Sequence, residues 1–551
     1  MPKMPLLSAL FLSLFLLNAL AFRSFRAPSV RLCPNMANNK HGSDDDTVLQ
    51  QIKRALEVQP NNEPLLFNLG MLRWQQLQER EAVGGSYDKQ LLMQEATNAF
   101  TRATELNPSR DASWFQLGSL HRAVGRVDAA IDAFQAAMGA TTNEEIAIAA
   151  SSSLVDLLLA ERRLDDAAKA TDVAVKRYPH NDVVWTNMGI VLRENQSNDW
   201  AQRAFETAVQ CNPHGAAVAY NNLGNLAWQC GDVRRAVAMY TAALAADPSD
   251  EASCYNLALL QRDAGDAAAA QTLFERCLGL NPANAAAEFQ LAALRGDESV
   301  VGGGVGSGVE CPSGYVADLF DHYARVGYEQ HVLQELRYRG PDLMWAAYTA
   351  AGPLPRPRVA VDLGMGTGLV GRRFREGMGE DDADADADTD TAVAQFWGCD
   401  LSSEMVVRAY ELTWGGQPGG GGSPVYSDVA VADCVQYLEQ RCGSGAAGAV
   451  DLILAGDVLN YVGRLDRLFL SAHAALVPGT GVFVFTAEKG GDGEAGYALQ
   501  PTARFAHSEG YLRRSAAAAG LDVAGLTEVS DLRTEGGKPV AGYVVVLRRP
   551  L

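Results

Sequence analysis

At 551 residues the chain is too long for one hydrophobic core, since a domain takes roughly 100–200 residues. With 66 Asp and Glu against 46 Lys and Arg, the net charge of -20 excludes nucleic-acid binding through a general basic surface. Nine cysteines, an odd number with no CxxC pair, exclude a disulfide framework and fit a reducing compartment.

The first segment differs in kind from the rest. Lys3 precedes an apolar run from Leu6 to Leu20, shorter than the roughly 20 residues of a bilayer span, and Ala19-Leu20-Ala21 fits a small-residue cleavage site. Residues 1–21 read as a signal peptide. Residues 22–44 carry Phe22, Arg23, Phe25, Arg26, Arg31 and Lys40 with no acid before Asp44, as in a transit peptide. ALA followed by Phe22 resembles the bipartite presequences of algae with secondary plastids, which implies a plastid; plain secretion, or an endomembrane lumen, is the alternative. No other stretch is apolar enough to span a membrane.

Residues 45–298 repeat one pattern at a period near 34 residues, marked by Pro179, Pro213, Pro248 and Pro282. The clearest copy has Trp185, Met188, Gly189, Ala201, Phe205 and Ala208; the next has Tyr220, Leu223, Gly224, Ala236, Tyr240 and Ala243. Small residues let two helices cross closely and the aromatics fill the gap, so these positions are core. The period and these positions are those of tetratricopeptide (TPR) repeats, which predicts an all-α superhelix of six copies with a partial helix at each end. Leu69-Gly70 and Ala96, Phe100, Ala103 form one copy only if the intervening LQEREAVGGSYDKQ lengthens the hairpin. The groove of such a superhelix commonly holds a protein or peptide partner. Asn187, Asn221, Asn222, Asn225 and Asn256 fall on first helices, either to clamp a peptide backbone or to satisfy neighbouring turns.

A glycine-rich linker, residues 299–314, leads to a second unit, 315–551. There the apolar Val359, Ala360 and Val361 run into DLGMGTGLVG, a buried strand feeding a glycine turn that opens a helix. Gly364, Gly366 and Gly368 permit unusual backbone angles and close ligand approach. The segments FWGCD, VAVADC and DLILAGD follow, ending at or near Asp400, Asp433 and Asp457, with Ser402 or Ser403 as a helix cap after the first. Each strand delivers a polar residue at its carboxyl end, the edge where open α/β sheets bind ligands. Between them, Glu380 to Asp390 and Gly415 to Gly422 read as surface insertions. The end of the chain is a strand, GVFVFTAE, one helix, and two strands joined by GGK as a hairpin. A dinucleotide site would need a second mononucleotide-binding half in place of that hairpin.

This series, with FDHYA (Phe320 to Ala324), LRYRGP, RFAHSEGYLRR and LRTEGGKPVAGYVVV, resembles the class I S-adenosylmethionine-dependent methyltransferases from Val316 to Leu551, and the branch of predicted methyltransferases with N-terminal TPR repeats in particular. The resemblance implies an α/β Rossmann-like domain with a seven-stranded sheet of order 3-2-1-4-5-7-6. It implies S-adenosylmethionine as cofactor, with Asp362, Gly364, Gly366 and Gly368 at the methionine part, Asp400 at the ribose, and Asp433 with Cys434 at the adenine. Met365, where many relatives carry Cys or Ser, and Ala503, in place of a usual Gly, depart from the pattern without removing a polar contact. Asp457, Asn460 and Tyr461 then face the methyl group, so Asp457, Tyr461 and His507 are the catalytic candidates. His507 reads equally as a satisfied structural histidine, and Arg504, Arg514, Arg533 and Glu535 as an ion-pair set around it, or Arg504 as an anchor for an anionic acceptor. No metal is expected. The absence of [DN]PP[YF] and of a paired-glutamate loop leaves an oxygen, carboxylate or lysine acceptor. The implied function is a methyltransferase whose repeats present a protein or carrier-bound acceptor. The alternatives are a small-molecule methyltransferase, of quinone or carboxylic acid type, with repeats for assembly, and an inactive adaptor.

Overall fold

A computed structural model describes residues 44–83, 89–296, 311–326, 328–352, 355–378, 395–414, 425–441, 448–491, 495–535 and 537–551. The presequence, the linker up to residue 310, the acidic run and the Gly415 to Gly422 insertion lie outside them. The chain divides into two compact units, residues 1–264 and 265–551. Among the described residues, no helix is long and apolar enough to cross a membrane.

Unit one is helical throughout its described part. After α1 (Asp44–Val58) come the pairs α2 (Glu63–Val83) and α3 (Lys89–Leu106), α4 (Asp111–Ala123) and α5 (Val127–Ala140), α6 (Glu144–Ala160) and α7 (Leu164–Arg177), α8 (Asp182–Glu194) and α9 (Asn198–Cys211), and α10 (Ala217–Gln229) and α11 (Val233–Ala246), then α12 (Glu251–Asp263). One packing device recurs. A Cβ on Gly70, Gly118, Gly189 or Gly224 would fall 2.6, 2.8, 2.5 or 2.5 Å from the ring of Phe100, Phe134, Phe205 or Tyr240. The Gly70 contact joins α2 to α3, so Leu69-Gly70 and Ala96, Phe100, Ala103 do belong to one helix pair; residues 84–88 lie outside the described residues. In an exposed helix, Gly→Ala stabilises by roughly 1 kcal/mol. Here the collision decides the sign. Gly224→Ala is expected to cost roughly 1–3 kcal/mol, because the Tyr240 ring is fully buried and its hydroxyl donates to Asn225 at 2.7 Å. A fall in the thermal midpoint of the helical circular dichroism signal checks it.

The asparagines are engaged between repeats. Asn187 donates to Ser152 at 2.8 Å, and Asn256 donates to Asn221 and Asn225 at 3.2 Å each. Arg193 donates to the Asn222 side-chain oxygen, whose amide nitrogen donates to the Val218 carbonyl at 2.8 Å. Except for the Asn222–Val218 bond, which lies within one helix, these bonds join the first helices of neighbouring repeats, a role beside the two that the sequence leaves open.

Unit two begins with α13 (Ala267–Leu280) and α14 (Ala285–Arg295), helices that the spacing assigns to the repeat segment 45–298. For α14 the physical reason is apolar burial: Phe289, Ala292 and Ala293 pack with Leu499, Ala503 and Phe505, against Cys311 and Tyr315. Beyond α15 (Ser313–Val326) and α16 (Gly340–Ala350) the unit alternates β1 (Val359–Leu363), α17 (Leu369–Met378), β2 (Gln395–Asp400), α18 (Ser403–Trp414), β3 (Asp428–Val431), α19 (Cys434–Arg441), β4 (Leu452–Ala455), α20 (Asp466–Ala475) and β5 (Val482–Glu488). A small hairpin of β6 (Tyr497–Leu499) and β7 (Phe505–His507), then α21 (Glu509–Ala518), β8 (Asp522–Glu535) and β9 (Lys538–Arg548), complete it. The seven-stranded sheet is mixed, parallel from β3 to β5, with β9 and β8 antiparallel.

In chain numbering its order is β3-β2-β1-β4-β5-β9-β8. This differs from the expected 3-2-1-4-5-7-6, because β6 and β7 form a separate two-stranded sheet inserted before the last two strands. Apolar side chains cover both faces: Val361, Leu363, Ile453, Phe483 and Phe485 belong to one buried cluster, Ala360, Phe396, Leu454 and Val484 to the other. The period-2 alternation of a strand puts successive residues on opposite faces, so strands buried on both sides read as continuous apolar runs. With no polar face to spare along their length, these strands carry chemistry only at their ends.

Candidate functional site

The carboxyl ends of β1, β2, β3 and β4 open on one cavity of about 590 Å³, within the range of small-molecule sites. Gly364, Gly366, Asp400, Asp433, Cys434, Asp457 and Tyr461 all line it. The turn after β1 holds Gly364, Gly366 and Gly368 at φ +59°, +53° and +89°, left-handed values that favour glycine. Asp400 fixes that turn to the next strand: its carboxylate accepts from the Gly366 amide and from the Ser402 amide, each at 2.9 Å. Burial, opposed by these bonds, raises its pKa to about 6.

Ser402 is the cap of α18, accepting from the Met405 amide at 3.0 Å and donating to Asp321 at 2.5 Å. Asp321 also accepts from the Glu404 amide, which ties α15 to the start of α18. Asp433 caps α19 by accepting from the Val435 and Gln436 amides at 3.0 and 3.1 Å. Cys434 lies beside the buried Cys399, both thiols free.

Asp362 and Gly368 are not on the cavity wall. Asp362 is fully buried beneath the turn, where Tyr426 donates to its Oδ2 at 2.6 Å while Oδ1 has no hydrogen-bond partner among the described residues. Burial raises its pKa to about 7. A Cβ on Gly368 would lie 3.1 Å from the Tyr426 ring, so this glycine serves packing rather than access.

Asp457 follows β4 in a left-handed conformation, φ +60°, unusual for a residue with a side chain. Its amide donates to Thr486 at 2.8 Å and its Oδ1 accepts from Arg533 at 2.6 Å. Arg533 is 1 % exposed and also donates to Glu488 and Glu535, each at 2.6 Å. A register shift in β8 between Val529 and Arg533 marks a bulge just before it, the kind of irregularity that re-aims a side chain. Arg504 pairs with Glu535 and donates to the Tyr461 hydroxyl at 3.4 Å. The ion-pair set of Arg504, Arg533 and Glu535 therefore gathers around Asp457, not around His507 as the sequence suggests.

His507 is not a cavity residue. Its ring is fully buried, stacked near Tyr497 and Tyr511 at 6.2 and 5.8 Å, with Nε2 3.0 and 3.1 Å from the Val462 and Gly463 carbonyls. Two carbonyl acceptors require Nε2 to carry the proton. Nδ1 is left without a partner among the described residues, as in a neutral ring. This is the structural role, and desolvation lowers the pKa from 6.5 to about 4. A depressed histidine contributes stability that is complete above pH 6.5 and lost as the pH falls from 6.5 towards 4, a gap worth roughly 3 kcal/mol. Urea unfolding is expected to show that loss in the native chain, and a flatter profile over the same window in His507→Phe.

Residue spacing misses the side of the cavity supplied by helices ahead of the sheet. Phe320 on α15 and Tyr328 both line it; Phe320 meets Tyr328 and Tyr461 edge-on, centroids 6.3 and 5.4 Å apart. Tyr328 lies 3.5 Å from where a Gly366 Cβ would be. Asn460, beside Tyr461, is 2 % exposed with neither side-chain amide atom bonded among the described residues.

The family model described as Tetratricopeptide repeat matches residues 86–145, 186–251 and 221–285. Among curated proteins, nothing matches. Among solved structures, the chain is similar to the Cut9-Hcn1 hetero-tetramer at 14 % identity, covering 46 % of this chain and 46 % of that one, TM-score 0.33. It is similar to MamA at 21 % identity, covering 31 % and 90 %, TM-score 0.25. It is also similar to a SAM-dependent methyltransferase from Methanosarcina mazei at 16 % identity, covering 36 % and 95 %, TM-score 0.28.

Proposed function

We propose that the sheet unit binds S-adenosylmethionine and methylates a protein or carrier-bound acceptor presented by the repeats. The observation that carries this reading is the convergence of Gly364, Gly366, Asp400, Asp433 and Cys434, from three successive strand ends, on one cavity. The fit to the cofactor can be judged on the residues themselves. The turn presents two glycines to the cavity without a Cβ between backbone and ligand, and the carboxylates of Asp400 and Asp433 stand on the same wall.

When bound, S-adenosylmethionine supplies an activated methyl group on a sulfonium. Gly364 and Gly366 would hold its amino-acid part, Asp400 the ribose hydroxyls, and Asp433 with Cys434 the adenine edge. Little acid or base chemistry is then asked of the protein, whose task is alignment of the acceptor and exclusion of water. Phe320, Tyr328 and Tyr461 provide an apolar wall for the second, and Asp457, fixed by Arg533, a polar point for the first. The repeats suggest protein–protein interaction. Calorimetric titration of the full chain with S-adenosylmethionine tests the cofactor assignment. Methyl-tritiated cofactor in an extract, with counts followed into protein or into solvent-soluble products, tests the acceptor. Absence of binding would overturn the reading.

A further inference from the structure

The walls of the cavity carry an unbalanced charge. Among its described lining residues the carboxylates are Asp400, Asp433, Asp457 and Asp466, and the cations are Arg464 and Arg467. Both cations are already paired, Arg464 with Asp466 at 2.5 Å and Arg467 with Glu439 at 3.2 Å. Behind the wall, Asp457, Glu488 and Glu535 share Arg533 and Arg504, three carboxylates against two guanidiniums. One negative charge is in excess there. Asp400 and Asp433 add to it, and S-adenosylmethionine, itself a net cation, offsets only part of the sum.

This excess sits beside aromatic rings. Tyr328 is held in the field of Asp457 and Asp400: burial first, then these two charges, push its hydroxyl pKa upward. Phe320 packs edge-on against both Tyr328 and Tyr461. A carboxylate flanked by aromatic rings attracts a cation through both charge and ring quadrupole. An anionic acceptor finds the opposite, since Arg504, the anchor that the sequence offers for one, is engaged by Glu535 and Tyr461.

We infer that the acceptor is an alkyl primary amine, arriving as ammonium and docking on Asp457 between Phe320, Tyr328 and Tyr461; it would release one proton to solvent before its nitrogen lone pair takes the methyl group, the cofactor leaving as its neutral thioether. The inference rests on the methyltransferase reading for its chemistry, whereas the cation preference stands on the cavity alone. Asp457 is here a docking residue. Its left-handed backbone and its bond to Arg533 hold the carboxylate at the cavity wall before any ligand arrives.

The test uses the full chain and three probes of matched length, butylamine, butanol and butyrate, titrated by ligand-observed NMR with and without S-adenosylhomocysteine. Butylamine is expected to bind at least roughly tenfold tighter than butyrate and butanol, and raised salt should narrow the gap. Asp457→Asn should abolish the preference, and Phe320→Leu should weaken butylamine by roughly fivefold while leaving butyrate unchanged. If Asp457→Asn fails to melt cooperatively, Phe320→Leu and the salt series decide. Equal binding of butyrate and butylamine, or an Asp457→Asn variant that folds and keeps the preference, would overturn the inference. Failure of S-adenosylhomocysteine to bind would instead count against the methyltransferase reading, with the amine preference still read on the ligand-free chain.

Discussion

Arg533→Leu is expected to destabilise the sheet unit by about 3–5 kcal/mol, the cost of removing one partner from a buried ion cluster. The guanidinium is 1 % exposed and donates to three carboxylates at 2.6 Å. Without it, Asp457, Glu488 and Glu535 are left with Arg504 alone, and like charges in a poorly solvated site repel. The leucine adds no compensating contact with those oxygens. Arg533→Lys should lose less than leucine but still most of the effect, because a point charge cannot reach three partners in the fixed fork geometry of a guanidinium. Hydrogen exchange of the β5, β8 and β9 amides reads the sheet unit separately from the repeats. A loss below about 1 kcal/mol for leucine would mean that the cluster is no better than a set of exposed pairs.

Asp400→Ala should weaken S-adenosylmethionine binding at least tenfold. Charge-assisted hydrogen bonds to a ribose diol are worth roughly 1.5–3 kcal/mol each. The same carboxylate also holds the Gly366 and Ser402 amides, so alanine loosens the glycine turn as well as removing the diol acceptor. A pH series separates this site from a general effect of unfolding. With a pKa raised to about 6 by burial, Asp400 is a carboxylate above that pH and increasingly a neutral acid below it. Affinity in the native chain should therefore fall as the pH drops through about 6. In Asp400→Asn the affinity should start lower and vary less over the same window. Calorimetry at pH 7.5 and 5.5 makes the comparison, and an unchanged affinity in Asp400→Ala would remove the ribose assignment.

The sequence by itself determined whatever repeats or changes over a short distance. A helix pair that must cross closely needs a glycine on one helix and an aromatic on the other, and Gly189 with Phe205 or Gly224 with Tyr240 are close enough in sequence for the period to show. Strands buried on both faces read as apolar runs, so their ends, Asp400, Asp433 and Asp457, stand out against them. The helix-capping role of Ser402 was equally local.

Tertiary structure alone decided the rest, because it rests on pairings across long stretches of chain. Arg533 reaches Asp457 across 76 positions and Glu488 across 45, through a bulge that no local pattern announces. Phe320 and Tyr328 lie on segments before β1, and only folding brings them to the strand ends. His507 stands in a segment of the family pattern and reads as a candidate base. Burial under Tyr497 and Tyr511, with two carbonyls fixing its Nε2 proton, makes it part of the core. The helix α13 lies within residues 221–285, which match the repeat, whereas α14 buries its Phe289 ring beside Phe505 in the unit of the sheet. A sequence period records which faces are apolar. Which partner covers each face is settled by where the rest of the chain can bring apolar surface and opposite charge.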